Sequence, residues 1–421
     1  MNTQIKVFNI IACLSAFFIP FGSGIELVFS SSKLFIIFAG LLILNWLIVE
    51  KNKFVAYNNY FNLFLIFVAM HTLITYTVYV PEEFELFSTT YSRTSDAPHG
   101  IMVLRFLFFV LYGYALSAHI KNPVQISQIA KSFGLGLIFA IYFGDAGVMS
   151  GVSWVRQIGG FSDPNHFGLT AVAAILLSGY SLNIDSTLYS KVINLMILAS
   201  GIFGTVTSGS RGAILALVVA ILFLICRVSN IRMVSKIIFL SVLFAIITNF
   251  MLPDSYKEML AARVSYERVS EDKGSERLDI WEEYLSNLWD YSLLGTGLHR
   301  SPEVIKGSSS FQGVFTHNDY LASFAEFGVF GFLLFVLGLI KMGMGFFNKE
   351  KDTQIKVADA LILSLYVSWI MCCFFVNTFN LRTTWLILGI VSAYKQIRKK
   401  NHCMVSKSTK IQGGGVGYSY K

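Results

Sequence analysis

The sequence predicts an all-α polytopic membrane protein, and three observations lead to this fold class. Hydrophobic residues make up 54% of the 421 residues and charged residues only 14%, against about 25% charged residues in a soluble globular protein. The mean hydropathy is +0.61. The apolar residues fall into uninterrupted runs of roughly 20, the length of a helix that crosses the hydrocarbon core. Runs of this length favour helices over a β-barrel.

Twelve such runs predict about twelve transmembrane helices. They lie near 7–22, 34–49, 61–80, 102–118, 132–149, 166–182, 189–206, 212–226, 234–251, 316–340, 357–376 and 380–394. Helices 1–9 therefore fill residues 1–251, and helices 10–12 fill residues 316–395. Between them, residues 252–315 form one large loop. Residues 396–421 form a basic, Gly-rich tail that is expected to be disordered.

The distribution of Lys and Arg predicts the orientation of the chain. With the N-terminus in the cytoplasm, the cytoplasmic segments hold 20 of the 33 basic residues and 5 of the 25 acidic residues. Cytoplasmic loops carry an excess of Lys and Arg, so both termini are expected to be cytoplasmic. The net charge of +8 thus follows from membrane orientation, and nucleic-acid binding is not needed to explain it.

The large loop, 252–315, is predicted to lie outside and to contain short helices. Residues 274–285 have the pattern of an amphipathic helix, with Ser275 as a possible N-cap. Apolar residues recur there at helical spacing, namely Leu278, Trp281, Leu285 and Leu288. Such a helix can simply lie on the membrane face. Arg277 shares a face with Trp281, four residues on, and is a candidate phosphate ligand unless it is only a surface residue.

Two polar clusters on the predicted outer side point to an anion. Pro164 opens a helix with Asp163 as a possible N-cap, beside Asn165 and Arg156. Arg211 begins another helix, where the helix dipole disfavours a cation unless an anion binds there. Arg156 and Arg211 together suggest a diphosphate site. The alternatives are an ordinary turn with a surface Arg, and an Arg that extends towards lipid headgroups.

The third polar cluster begins the tenth predicted span. Thr316 and Asp319 resemble a capping box, which makes His317 the first residue of the helix and favours its neutral form. The alternative is that His317 is only a cap or surface residue. Glu326 lies half a turn round the helix from His317 and deeper along it, so it cannot orient His317. It is expected to pair with an Arg of another span, for example Arg105, and the alternative is a catalytic role.

At this point four motifs, in this order, resemble the bacterial O-antigen ligase and O-antigen polymerase superfamily. They are GFSDPN at 160–165, SGSRGA at 208–213, Arg277 with Trp281 followed by LGTG at 294–297, and HNDYL at 317–321 with EFG at 326–328 and Gly331. Gly328 and Gly331 are expected to permit close helix packing. The resemblance covers roughly residues 100–395.

The resemblance implies a GT-C-like helical fold in the bacterial inner membrane and an enzyme that uses a glycan on undecaprenyl diphosphate. It implies transfer to an acceptor sugar hydroxyl at the periplasmic face, with no metal and no cofactor. Arg211 and Arg277 would hold the diphosphate and His317 would serve the acceptor. Arg156, Asn165, Asn318 and Trp281 are further candidates for substrate binding. The acceptor would be lipid A–core for a ligase or a lipid-linked repeat for a polymerase.

A polysaccharide transporter or a flippase for lipid-linked glycans is the alternative class of function. Such a protein needs ionisable residues near the middle of the bilayer and often has an inverted repeat. In this sequence the unusual polar residues gather near one face. This placement favours an enzyme over a transporter.

Overall fold

The computed structural model describes residues 3–22, 31–49, 57–78, 99–144, 146–148, 155–161, 163–228, 235, 250, 254–264, 276–305, 314–344, 346 and 352–413. These residues form a bundle of long helices. The predicted ninth span, 234–251, lies almost entirely outside them. So do 79–98 and 265–275, which belong to predicted outer loops.

The first half of the bundle contains eight helices and one hairpin. The helices are α1 (Thr3–Phe17), α2 (Ser31–Val49), α3 (Asn59–Val78), α4 (His99–His119), α5 (Pro123–Phe143), α6 (Pro164–Ile184), α7 (Leu188–Thr207) and α8 (Arg211–Val228). Strands β1 (Ala146–Val148) and β2 (Val155–Gln157) pair antiparallel between α5 and α6, with Gly147 opposite Arg156. The hairpin was not predicted from the sequence.

The second half contains short helices followed by three long ones. The short helices are α9 (Asp254–Val264), α10 (Arg277–Ser286), α11 (Leu288–Tyr291) and a 3-10 helix (Ser301–Val304). The long helices are α12 (Asp319–Met344), α13 (Thr353–Cys372) and α14 (Arg382–Gly413). The prediction of a disordered tail from residue 396 is therefore wrong as far as Gly413. Residues 390–412 contain neither Gly nor Pro, and the helix ends where a run of glycines begins.

Eight of the described helices are long and apolar enough to cross a membrane, by length and composition: α2, α4, α5, α6, α7, α8, α12 and α13. Two more, α1 and α3, are apolar over the shorter stretches Lys6–Phe17 and Asn59–Thr75. The prediction of an all-α polytopic membrane protein is confirmed. The count of twelve spans remains a prediction.

Helix α6 lies at the centre of the bundle and packs against α5, α7, α8 and α13. Its side chains are buried almost continuously from Phe167 to Ser178. A helix that is apolar all round is stable only when other helices or lipid surround it. Around this centre, α4 packs on α2 and α14, and α12 packs on α3.

The hairpin and three helix connections meet at one end of the bundle, which we call the hairpin end. A Cβ at Gly168, in α6, would lie 2.9 Å from Ser208 Oγ in the α7–α8 connection. The Asp319 backbone N–H, at the start of α12, donates to Cys373 O at the end of α13, 2.7 Å away. The hairpin end therefore brings together the starts of α6, α8, α12 and α14.

Candidate active site

Strand β2 places Arg156 against the α7–α8 connection. The side chain is buried, and its Nε donates to Ser208 O at 2.7 Å. Gly209 follows with a φ of +58°, and a Cβ there would lie 3.3 Å from Arg156 Nε. Glycine at this position allows both the left-handed turn and the close approach of the guanidinium. The first two polar clusters of the sequence are therefore in direct contact.

Arg211 is held at the first position of α8 by a serine cap. Ser210 Oγ accepts from the Ala213 backbone N–H at 3.3 Å, which satisfies one free donor of the helix start. The next residue, Gly212, packs on Phe375: a Cβ there would lie 2.8 Å from the Phe375 Cβ. The Arg277 guanidinium lies over the same phenyl ring, 6.0 Å from its centroid. Arg211 and Arg277 thus begin two helices that both meet at Phe375.

Helix α10 fixes the chain segment before His317. Trp281 Nε1 donates to Thr316 O at 2.8 Å, and Tyr284 Oη donates to Val314 O at 2.9 Å. Arg277 and Trp281 therefore both face the hairpin end, as their spacing predicts. The helix begins after Glu276, which has a left-handed φ of 62° and occupies the N-cap position.

Ser275 is therefore not the N-cap of α10 and lies outside the described residues. The predicted apolar stripe of α10 is also only partly buried. Leu278 and Leu285 are exposed on the protein surface, whereas Trp281 and Leu288 pack against the cluster around Ile280 and Tyr284. The exposed leucines leave an apolar side of the helix available to the membrane surface.

His317 lies one residue before the N-cap of α12 in a left-handed conformation, with a φ of +47°. Asn318 is the cap, because its Oδ1 accepts from the backbone N–H groups of Tyr320 at 2.9 Å and Leu321 at 3.1 Å. The predicted capping box of Thr316 and Asp319 is wrong, and so is the placement of His317 inside the helix.

The carboxylate of Asp319 bonds to the α13–α14 connection and not to the start of its own helix. It accepts from the Thr378 backbone N–H at 2.9 Å and from Thr378 Oγ1 at 2.6 Å. Thr316 Oγ1 donates to Asn377 Oδ1 at 3.2 Å. These bonds attach the residues on both sides of His317 to the α13–α14 connection, so His317 is presented from a fixed backbone.

The charges around His317 come from three other elements. Burial lowers the pKa of His317; Asp163 opposes this, while Arg277 and His166 lower it further. Burial would raise the pKa of Asp163, but His166, the Asn165 backbone N–H, His317 and Arg156 outweigh it and lower that pKa. Asp163 Oδ2 lies 4.0 Å from His166 Nε2. The hairpin end thus gathers these groups within electrostatic reach, with a neutral imidazole at its centre.

The sequence comparison with protein families bears on this arrangement. Residues 195–336 match the family model described as O-Antigen ligase. The predicted resemblance to the O-antigen ligase and polymerase superfamily is thereby confirmed. The O-antigen ligase match includes Arg211, Arg277 and His317, whereas Arg156 and Asp163 precede it. A comparison with curated proteins found no match.

Three residues predicted to bind substrate also have structural roles. Asn165 Nδ2 donates to Asp163 Oδ1 at 2.8 Å, which orients the carboxylate near His166. Asn318 caps α12, and Trp281 holds the segment before His317. Substrate contacts by these side chains remain predictions.

Glu326 is partnered by the large loop and not by Arg105. Its Oε1 accepts from Ser301 Oγ at 2.8 Å, and the backbone N–H groups of His299 and Ser301 also donate to the carboxylate. Among the described side chains Arg105 contacts only Met102 Sδ, at 3.8 Å, as a hydrogen-bond partner. The predicted Glu326–Arg105 pair is wrong, because loop residues that are distant in the sequence donate hydrogen bonds to the Glu326 carboxylate instead.

Gly328 interrupts α12, with a φ of 65° and a ψ of −170°. The backbone groups released by this break bond to the loop: Gly297 N donates to Glu326 O at 2.8 Å, and Val329 N donates to Ser292 O at 2.8 Å. Gly328 therefore permits a break in the helix. Its predicted role in close helix packing is wrong. Gly331 does permit close packing, since a Cβ there would lie 2.9 Å from the Phe67 ring in α3.

Asp163 and His166 lie in this region but were not predicted as site residues, and Asp163 was predicted only as an N-cap. The sequence does contain a signal for them, because a carboxylate and an imidazole stand three residues apart at the end of an apolar span. Ionisable residues at such a position indicate a functional site. Among the described residues, no group of three or more His, Cys, Asp or Glu side chains has an arrangement suited to a metal ion. The cations that converge here are guanidinium groups.

Proposed function

We propose that this protein is an inner-membrane glycosyltransferase. It transfers a glycan from undecaprenyl diphosphate to a sugar hydroxyl of an acceptor at the periplasmic face, with both chain termini in the cytoplasm. The observation that carries the proposal is the convergence of Arg156, Arg211, Arg277 and His317 at the hairpin end, three of them within the O-antigen ligase match.

The arginines would stabilise the leaving group. When the bond between the anomeric carbon and the diphosphate oxygen breaks, its electron pair and the developing negative charge pass to the diphosphate. Arg binds phosphate oxygens with two parallel hydrogen bonds, and Arg211 and Arg277 project from helix starts that meet at Phe375. Fixed donors of this kind contribute about 3–4 kcal/mol each to transition-state stabilisation. In this proposal guanidinium groups supply the positive charge that a metal ion supplies in other transferases.

His317 would handle the proton of the acceptor. Its lowered pKa keeps the imidazole neutral near neutral pH, so it can accept the hydroxyl proton as the oxygen attacks the anomeric carbon. General-base assistance contributes roughly 10²–10⁴-fold. Direct displacement by the acceptor oxygen inverts the anomeric centre. The proton then resides on His317 and the negative charge on the diphosphate.

The acceptor separates two forms of this activity. A ligase uses lipid A–core, whereas a polymerase uses another lipid-linked repeat, and the bond that breaks is the same in both. Glycan analysis of a deletion strain distinguishes them: long unattached chains indicate a ligase, and single attached repeats indicate a polymerase. The helical bundle with its outer loop is compatible with a GT-C-like organisation for either.

The proposal is tested by substituting Arg211→Ala, Arg277→Ala and His317→Ala in a strain that lacks the native gene. Each variant should reach the membrane in normal amount and lose most of the glycan product. Arg227→Ala is the matched control, because Arg227 lies in the last turn of the helix that Arg211 begins and donates to Phe346 O at 2.6 Å. Full product from all three variants would end the proposal.

Liposomes that contain the purified protein separate an enzyme from a flippase. An enzyme converts the donor and the acceptor into a larger glycan and releases undecaprenyl diphosphate. A flippase moves the donor across the bilayer and forms neither product.

A further inference from the structure

A second pair of arginines lies at the hairpin end, apart from the phosphate ligands proposed above. Arg382 begins α14, and Arg105 lies in the second turn of α4. The next residue of α4, Phe106, contacts Trp385 of α14 edge to face, with ring centroids 5.7 Å apart. The two helices are thus locked side by side, and the Arg105 charge acts on Arg382.

Arg382 is fixed by contacts that orient its guanidinium group but do not neutralise its positive charge. Its Nη1 donates to Gly22 O at 3.1 Å, and its Cζ lies 4.6 Å from the centroid of the Phe35 ring. Among the described residues, no Asp or Glu forms an ion pair with Arg382 or Arg105. Two like charges held together cost free energy unless an anion binds between them.

Arg105 faces the side of the bundle that lipid covers. It is exposed, and so are its neighbours Leu104, at 62%, and Ile101, at 40%. The helix begins at His99, so Arg105 lies about 9 Å along it. This is the depth at which a basic side chain in a membrane helix reaches lipid headgroups. An anion that bridges Arg105 and Arg382 would therefore arrive from the bilayer.

The pair is also connected to the candidate active site. A Cβ at Gly22 would lie 2.4 Å from Gly160 O, in the turn before α6. Thr383, next to Arg382, shares a hydrogen bond with Thr170 at 2.9 Å, and Thr170 Oγ1 donates to His166 O at 2.9 Å. The arginine pair and the imidazole cluster thus both lie next to the start of α6.

We propose that Arg105 and Arg382 bind a phosphate group of the acceptor lipid. This inference rests on the proposed function, because it assigns the donor diphosphate to Arg211 and Arg277 and the acceptor phosphate to the second pair. The sugars of the bound acceptor then extend over the Gly22–Gly160 turn towards His317. Lipid A and an undecaprenyl-diphosphate-linked repeat both present such a phosphate at headgroup depth.

Binding to purified protein in phosphatidylcholine nanodiscs tests this site without requiring turnover. The probes are lipid A, undecaprenyl diphosphate, phosphatidylglycerol and inorganic phosphate. Arg105→Gln and the double variant Arg105→Gln/Arg382→Gln are compared with Lys257→Gln, which removes one charge from an exposed ion pair with Asp254. The single Arg105 variant guards against misfolding, because Arg105 is exposed and its only described hydrogen-bond partner is Met102 Sδ within the same helix.

In the arginine variants we expect at least tenfold weaker binding of lipid A, or loss of the second of two bound undecaprenyl diphosphates. The first result identifies a lipid A-type acceptor and the second a lipid-linked repeat. Unchanged binding of both probes overturns the inference. An equal loss of phosphatidylglycerol, or full competition by inorganic phosphate, also overturns it, since the site would then not select the acceptor. Failure to detect glycosyl transfer in the wild type would instead count against the proposed function, because these binding results do not depend on catalysis.

Discussion

The two ends of the helix bundle use basic residues in different ways. At the end opposite the hairpin, Lys131 pairs with Asp185 at 2.9 Å, and Arg398 pairs with Asp359 at 2.9 Å. At the hairpin end, Arg156 donates to a carbonyl, and the Arg277 and Arg382 guanidiniums lie over aromatic rings. Carboxylate partners neutralise a cation, whereas carbonyls and rings orient it. The comparison indicates that carboxylates neutralise the two basic residues named at one end, whereas a carbonyl and aromatic rings orient the arginines named at the other.

Arg277→Gln gives the sharpest test of this difference. The guanidinium lies over the Phe375 ring and reaches the His317 region, so its loss removes charge from the proposed transition state. We expect glycan transfer to fall by about 10²–10³-fold with the melting temperature nearly unchanged. In vitro transfer and thermal unfolding of the same preparation measure the two quantities. Unfolding at a much lower temperature would show that Arg277 is a structural residue.

Asp359→Asn is the corresponding change at the opposite end. Asp359 accepts from Tyr394 Oη at 2.7 Å and pairs with Arg398, and both partners belong to α14. Removal of one partner of a mostly buried pair destabilises by roughly 3 kcal/mol, and we expect this loss in the free energy of unfolding. Transfer per folded molecule should stay at the wild-type level. A large loss of transfer without loss of stability would break the comparison.

Gly328→Ala probes a structural feature of the hairpin end. The residue has a φ of 65°, and an added Cβ would lie 2.3 Å from Leu293 O. We expect a destabilisation of about 1–3 kcal/mol, with a smaller loss of transfer than for Arg277→Gln. Gly343→Ala in the same helix is the control, because its Cβ would have ordinary contacts of at least 3.5 Å. Equal melting temperatures for the two variants would refute the role of the helix break.

The smallest expected effect is a shift of the pH profile. A base is active in its neutral form, so transfer should fall as the pH drops through the pKa of His317, which lies below the ordinary histidine value near 6.5. Asp163 raises that pKa. Asp163→Asn, which keeps a good N-cap residue, should therefore move the acidic limb to still lower pH. A shift to higher pH would contradict the proposed electrostatic coupling.

Hydropathy and local signals were sufficient to predict much of this molecule. Long apolar runs identified the spans, Asp163 before Pro164 predicted the start of α6, and Arg211 was correctly placed at the start of α8. These features depend on residues within one helical turn of each other. For the same reason the three arginines and His317 could be recognised as unusual before their contacts were known.

Several of the failures involve partners distant in the sequence. Asp319 bonds to Thr378 instead of capping its own helix, and Glu326 bonds to Ser301 instead of an arginine. The break at Gly328 is matched by backbone groups more than 30 residues earlier. A local pattern cannot rank such partners against nearer ones, because their contribution depends on tertiary packing.

The interruption of α12 has a mechanical consequence. Backbone groups on both sides of Gly328 are shared with residues 292–297 of the large loop. If the loop lifted away, those amides and carbonyls would be left without partners near the lipid boundary, where each costs several kcal/mol. These backbone hydrogen bonds therefore hold the loop and the first turns of the helix together as one unit. His317, which lies just before this helix segment, is thereby held from two sides, by the loop and by the α13–α14 connection.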